Sequence, residues 1–294
     1  PDLFDPHTVH FHGFPQAAPV FDGMPEGSVG INMGASITYY YNLVEPGTFM
    51  YHCHMEATEH MQMGMLGNLY VDPIQNRTGI GGTLANPDSA TKAKKEGGSS
   101  GPYGYVYNDG DGSTGFDVEV PIQLGSFDPA FHDASMTVQP LPFADMKDKY
   151  AMMNGRGYPD TVNPAALIPP ANGVSEAGKE KVSQKVSSLV TATAGQKVLL
   201  RLSNLSVTNF YTVTALGLPM KVVGSGAHIL RGPGGTDLYY DTSSVTLGGG
   251  EAADVIIDTA GVAPGTYFLY TTNLNYLSNN TEDYGGMMTE IRIN

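Results

Sequence analysis

Two short stretches hold most of the metal-ligating side chains of this chain: HTVHFHG at His7 to Gly13 and YHCHMEATEHMQMGM at Tyr51 to Met65. The chain has eight histidines and one cysteine, and six of the histidines plus the cysteine fall in these stretches. Imidazole and thiolate are both good transition-metal ligands, so the clustering points to metal coordination. GTFMYHCHM, with aromatic and apolar residues running into the histidines, reads as a β-strand, whose side chains alternate between faces with a period of two. His52 and His54 then share one face, and Cys53 points to the other. The same count along TVHFHG puts His10 and His12 on one face, while His7, an odd number of residues from His10, lies on the opposite one.

With the two strands side by side, one face gathers His7 and Cys53 and the other gathers His10, His12, His52 and His54. The loop after the cysteine strand brings His60 and Met65 back toward Cys53. Two imidazoles, a thiolate and a weak thioether make the ligand set of a blue-copper electron-transfer site. That set reads as His7, Cys53, His60 and Met65. Four imidazoles on the other face suit copper ions that bind oxygen species, and covalent contiguity through Cys53 gives electrons a short path between the two sites. Met61, Met63 and Met65 alternate, so Met63 stays open as the thioether. Zinc is the rival metal, but its sites usually repeat Cys or His at knuckle spacing, unlike a lone Cys flanked by two His. A single His or Met is usually packing or surface, and a single Cys is often an inert buried thiol. The joint spacing carries the reading.

HxxHxHG followed by a strand-borne HCH, a His and a GM resembles the copper-binding cupredoxin domain of multicopper oxidases, the laccase and metal-oxidase family. The resemblance implies a type 1 copper on His7, Cys53, His60 and Met65, with Met65 preferred because it stands in the family-like GM. It also implies that His10, His12, His52 and His54 hold part of a type 2/type 3 trinuclear copper cluster. The implied activity is that of a copper oxidoreductase: a small reducing substrate or a redox protein gives electrons to the type 1 copper, and dioxygen is reduced at the cluster. His10, His12, His52, Cys53 and His54 would carry that catalysis, and His60 would present an imidazole edge to solvent for electrons to enter. The loop Met55 to Glu59 is longer than the family's usual spacing. Copper nitrite reductases share the outline, but their equivalent of His10 is an acid and no histidine follows their cysteine. The oxidase is the better match, with an electron-transfer or nitrite-reductase-like cupredoxin protein as the alternative. In the family the other cluster ligands come from HxH pairs of another cupredoxin domain or subunit, so a partner of that kind and an oligomer are expected.

Strands must position these residues. Gly, Pro, Tyr and Thr are plentiful, long helical patterns are scarce, and short alternating runs recur, which argues for an all-β chain of sandwiches. With the resemblance, the expectation is two cupredoxin-like Greek-key β-sandwich domains. Residues 1–73 form the copper-binding one, with strands His7 to Phe14, Ser36 to Val44, Gly47 to His54 and Leu66 to Val71. It is expected to be incomplete at its N-terminus, because HxxHxH normally follows several strands and here begins at residue 7. Residues 74–116 read as a flexible linker and loop region, low in hydrophobicity and rich in Gly and Ser. Its NDGDGSTGFD lacks the spacing and distal Glu of a calcium loop and reads as a turn series.

Residues 117–294 form the second, copper-free domain, with strands in DVEVPIQL, KVLLRLSNL, FYTVTALG, MKVVG, ADVIIDT, GTYFLYTT and MMTEIRI. An Asn-Gly turn lies in YAMMNGRGYPD, and SEAGKEKVSQKVSSLV is the one short helix expected. His132 and His228 are isolated and read as structural or surface residues. A net charge of −14 argues against nucleic acid and anionic membranes as partners and favours cationic ones. No stretch is long and apolar enough to span a bilayer. Three glycosylation sequons begin at Asn76, Asn204 and Asn279. A periplasmic or extracellular location is expected.

Overall fold

The structure, a computed structural model, describes residues 5–14, 18–80, 103–135, 137, 140–168 and 183–294. The two histidine-rich stretches lead into a three-stranded antiparallel sheet of β1 (His10–His12), β2 (Gly47–His52) and β3 (Leu66–Val71), with β2 in the middle. Helix α1 (Ala57–Gln62) lies in the β2–β3 connection, and α2 (Gln75–Thr78) follows β3. Next comes the small ribbon of β4 (Gly104–Tyr105) and β5 (Gly115–Phe116). The remainder contains β6 (Val118–Phe127), α3 (Pro129–Ser135), β7 (Tyr150–Met153), β8 (Val190–Ala192), β9 (Lys197–Asn204) and β10 (Tyr211–Ala215). It continues through β11 (Met220–Ser225), β12 (His228–Ile229), β13 (Tyr240–Thr242), β14 (Ser244–Leu247), β15 (Glu251–Asp258), β16 (Gly265–Thr271) and β17 (Met288–Ile293).

Two sheets make the second sandwich. One runs β14-β10-β16-β17-β8, and the other runs β12-β11-β15-β9-β6-β7 with β13 paired to β11. Alternation explains what fills it: Val198, Leu200 and Leu202 of β9 and Ala253, Val255 and Ile257 of β15 face the core shared with Val213, Leu269 and Ile291. The opposite face of that sheet is buried too. Leu199 and Ile256 pack with Val106, Tyr107 and Phe116, while Ala252 and Leu205 pack with Met50 of β2. The three-stranded sheet therefore rests on the outer face of the second sandwich. Gly47 at φ +143° permits close approach there, because a Cβ would come within 2.9 Å of the Ala227 backbone.

A buried polar node joins the same three segments. Asp254 of β15 accepts from Thr48 Oγ1 of β2 at 2.6 Å and from the Tyr107 hydroxyl at 2.5 Å, with Arg201 Nη1 of β9 at 3.4 Å. Arg201 is fully buried, and its Nε donates to Glu119 at 2.5 Å.

Several sequence expectations change. His7 to Phe14 contributes a strand only at His10–His12, and His7 forms an isolated bridge with Ile31. Ser36 to Val44, rich in β-formers, forms no strand because no described segment pairs with its backbone. Its tyrosines hold it instead: the Tyr41 hydroxyl donates to the Phe21 carbonyl at 2.5 Å, and the Val9 N–H donates to the Tyr39 hydroxyl at 3.3 Å. The described end of the expected linker is built into the core at Val106, Tyr107 and Phe116, while residues 81–102, its low-complexity part, lie outside the described residues. The NDGDGSTGFD loop is a turn whose Asp109 carboxylate is taken up by Gln75, Gly112 and Thr114. The helix expected in SEAGKEKVSQKVSSLV lies partly outside the described residues, and within them Ser183 bridges Leu167 while Val190 opens β8. All three sequon asparagines are buried and hydrogen bonded, Asn76 to Tyr105, Asn204 to Leu247 and Asn279 to Ala151.

Asp254→Ala would take the buried acceptor from the Thr48 and Tyr107 hydroxyls and leave Arg201 with Glu119 as its remaining carboxylate. It should cost about 3–5 kcal/mol in urea unfolding. A loss below about 0.5 kcal/mol, ordinary for a surface position, would contradict the node's role.

Candidate metal centre

The register of β1 on β2 assembles the four-histidine face. His10 stands opposite His52 and His12 opposite Met50, so the two His-x-His pairs lie on one side of the ribbon. Ligand atoms of His10, His12 and His52 all lie within 4.8 Å of one another. His54 joins them through its ring, 5.1 Å from that of His10 and 5.4 Å from that of His52.

Backbone carbonyls orient three of these rings. Nδ1 of His10 is 2.6 Å from the Asp22 carbonyl, that of His12 is 3.2 Å from the Gly250 carbonyl, and that of His52 is 2.7 Å from the Cys53 carbonyl. A carbonyl can only accept, so each Nδ1 carries the proton and each Nε2 keeps its lone pair. Gly250 sits in the turn before β15 at φ +88°, where a Cβ would lie 2.8 Å from the His12 ring. Burial, together with neighbouring imidazoles, lowers the pKa of His12 and pulls that of His52 down to about 4, so both rings are neutral at pH 7. The Nε2 atoms of His12 and His52 stand 3.0 Å apart. Two lone pairs facing each other at that distance repel, and a cation ligated by both at about 2 Å resolves the repulsion. The face therefore fits a metal with nitrogen ligands.

The other face forms where β2 ends. Cys53 is 5% exposed, and its Sγ lies 3.2 Å from Nδ1 of His60 and 3.8 Å from Nδ1 of His7. The Thr8 N–H also donates to the sulfur, at 3.5 Å. Helix α1 folds the chain back to deliver His60. The Met65 N–H then donates to the His60 carbonyl, and the Cys53 N–H to the Met65 carbonyl at 3.0 Å. The Met65 backbone thus pairs directly with the cysteine, and its side chain is 40% exposed. Met63 points its sulfur to within 3.5 Å of the Ser135 hydroxyl of α3.

His60 departs from the solvent-facing role expected of it. Its side chain is only 3% exposed, and its Nε2 is 3.0 Å from the Asp5 carboxylate. Asp5, Glu56 and His60 bring ligand atoms within 4.8 Å of one another. A carboxylate on the second nitrogen of a ligand histidine fixes the ring and raises its basicity. Nothing in the spacing of Asp5 signals this, because α1 must form before the two meet. His228, set aside as isolated in sequence, is exposed and lines the same groove as His10, His12 and Asp22. His132 packs edge-on against Phe127, as a structural residue does.

Charge on the thiolate side is coupled. The hydrogen bond to Cys53, with help from Asp5, raises the His60 pKa to about 9 despite burial. Burial, the largest single influence, pushes the Cys53 thiol up, but the hydrogen bonds of His60, Thr8 and Met55 together outweigh it and the net direction is down. Without metal His60 is protonated at neutral pH, beside a sulfur whose thiolate form it favours. Metal must displace the proton from His60 Nδ1, so copper affinity at Cys53 should fall about tenfold per unit as pH drops below about 9. Competition with a chelator between pH 6 and 8, with the chelator's own protonation subtracted, reads this directly. A flat profile would contradict the coupled pair.

Comparison with known proteins gives the family and the fold. Multicopper oxidase family models match residues 2–76 and residues 142–291. No curated protein matches the chain. Among solved structures it is similar to a blue copper oxidase from Nitrosomonas europaea, at TM-score 0.67 and 20% identity, over 98% of this chain and 69% of that one. A laccase from Botrytis aclada gives 0.60 and 17%, over 99% of this chain and 43% of that one. A copper nitrite reductase from Nitrosomonas europaea gives 0.58 and 16%, over 98% and 74%. These likenesses speak for the all-β cupredoxin fold. On its two family matches, the chain belongs to the multicopper oxidases, whose cofactor is copper in type 1 and trinuclear sites.

Proposed function

We propose that the chain couples one-electron oxidation of a reducing substrate at Cys53 to dioxygen reduction at the four-histidine face, completed by HxH ligands from another domain or subunit. One observation carries this reading: the two donor sets share a single strand end. His52 and His54 flank Cys53 directly, and Nδ1 of His52 is hydrogen bonded to the Cys53 carbonyl at 2.7 Å. From the sulfur, electrons have one covalent route and one hydrogen-bonded shortcut to the other face. Copper, when bound, supplies the one-electron redox chemistry and the reactivity toward dioxygen.

The chain's own residues set the terms. His7, Cys53 and His60, with the Met65 thioether, would hold the type 1 metal, and Thr8 adds an N–H to the sulfur. His10, His12, His52 and His54 would hold their part of the cluster. Electrons enter past Asp5, whose carboxylate covers the His60 ring. Asp5 and Glu56 give this port a negative sign, which favours a metal ion or a basic redox protein over an anionic donor. The groove along His10, Phe11, His12 and Phe14 is open, as a face awaiting a partner domain or subunit requires. No helix among the described residues is long and apolar enough to cross a membrane. A periplasmic or extracellular location is part of the proposal.

A second reading, electron transfer or nitrite reduction without oxygen chemistry, draws on the nitrite reductase likeness and on the four imidazoles this chain brings to that face. His10→Ala with His12→Ala separates the two. Oxygen uptake should be lost while the thiolate absorption band persists, and unchanged turnover would remove the four-histidine face from the reaction. For the thioether, Met65→Leu should shift the type 1 reduction potential and Met63→Leu should not. The reverse result would assign Met63.

A further inference from the structure

Between His60 and Met65 one polar side chain turns inward. Gln62, the last residue of α1, is 5% exposed. Its amide is taken up wholly by the second domain: Nε2 donates to Asp148 Oδ1 at 2.8 Å, and Oε1 accepts the Asp128 N–H at 3.1 Å. Both partners are themselves fixed. Asp148 Oδ2 accepts from Ser126 Oγ at 2.6 Å and from Thr208 Oγ1 at 2.7 Å. Asp128 accepts the Ala130 N–H at the start of α3 and the Lys147 N–H.

A buried amide costs free energy unless both its halves are bonded, and an apolar side chain would fill the contact without that requirement. What the amide adds is a single geometry. Gln62 stands two residues from His60 and three from Met65. Both ends of the loop bear on Cys53, His60 through its ring nitrogen and Met65 through its backbone carbonyl.

We propose that Gln62 is a positioning residue for the thiolate copper site, through which the second domain holds the His60–Met65 loop in place and so sets copper affinity and reduction potential at Cys53. The inference rests on the type 1 reading above. It makes the second domain a part of the site's outer shell rather than a spacer alone.

The test uses the copper-loaded full chain, with affinity followed by chelator competition at the thiolate absorption band, a redox titration, and urea unfolding alongside. Gln62→Glu sets two carboxylates against each other. It should weaken copper binding at Cys53 about tenfold or more and shift the band and the potential. Gln62→Glu combined with Asp148→Asn exchanges donor and acceptor across the contact and should restore all three. Should Gln62→Glu fail to fold, Gln62→Leu removes both hydrogen bonds at similar volume and should move the same readouts in the same direction. A variant that loses stability but keeps wild-type band, potential and affinity overturns the inference, as does a double variant that folds without recovering them. Absence of a thiolate band in the unmodified copper-loaded chain would instead remove the type 1 reading, and the inference with it.

Discussion

The pairing of β1 on β2, with His10 opposite His52, is the constraint on which the rest of the site depends. Strand side chains alternate, so this one register decides that four imidazoles meet on one side while Cys53 turns to the other. A slip of one residue would exchange the faces and break up both donor sets. The three-stranded sheet secures the register from both sides, since β2 is also paired along its full length with β3. The same chain geometry makes the sites neighbours. Cys53 has no room to be far from His52 and His54, so a thiolate metal and an imidazole metal placed here are electronically joined through the backbone.

Register alone does not hold the metal side chains still. The second sandwich provides a floor, because its central strands β9 and β15 are buried on both faces. The side away from its own core carries Arg201, Asp254, Leu199 and Ile256 against the three-stranded sheet and the segment at Tyr107. From that floor the Gly250 carbonyl reaches His12 and the Gln62 contacts reach the loop of His60. Each ligand face is thus oriented partly by residues of the second sandwich's side of the chain.

The ligand faces were legible in the sequence because alternation is a local property. His10, His12, His52 and His54 could be grouped, and Cys53 separated from them, by counting alone. The strands of the second domain were legible for the same reason, and β9 and β15 fall where KVLLRLSNL and ADVIIDT placed them. Long-range partners were not legible. Asp5 meets His60 only after α1 folds back, and Gly250 lies far along the chain from His12. Ser36 to Val44 has strong β-formers, but a strand also needs a neighbour, which local propensity does not supply. The sequons at Asn76, Asn204 and Asn279 matched a motif whose meaning depends on exposure, and packing buries all three. The reading of His60 as solvent-facing failed similarly, since burial depends on what covers a ring.

Whether two faces of one strand hold two kinds of copper is read from copper per chain, with optical and spin-resonance spectra on the same sample. The expected result is more than one copper, one with intense visible absorption from a thiolate ligand and the rest bound by nitrogen without it. A single class of copper bound only by nitrogen, or a Cys53 thiol left free in the loaded protein, would contradict it.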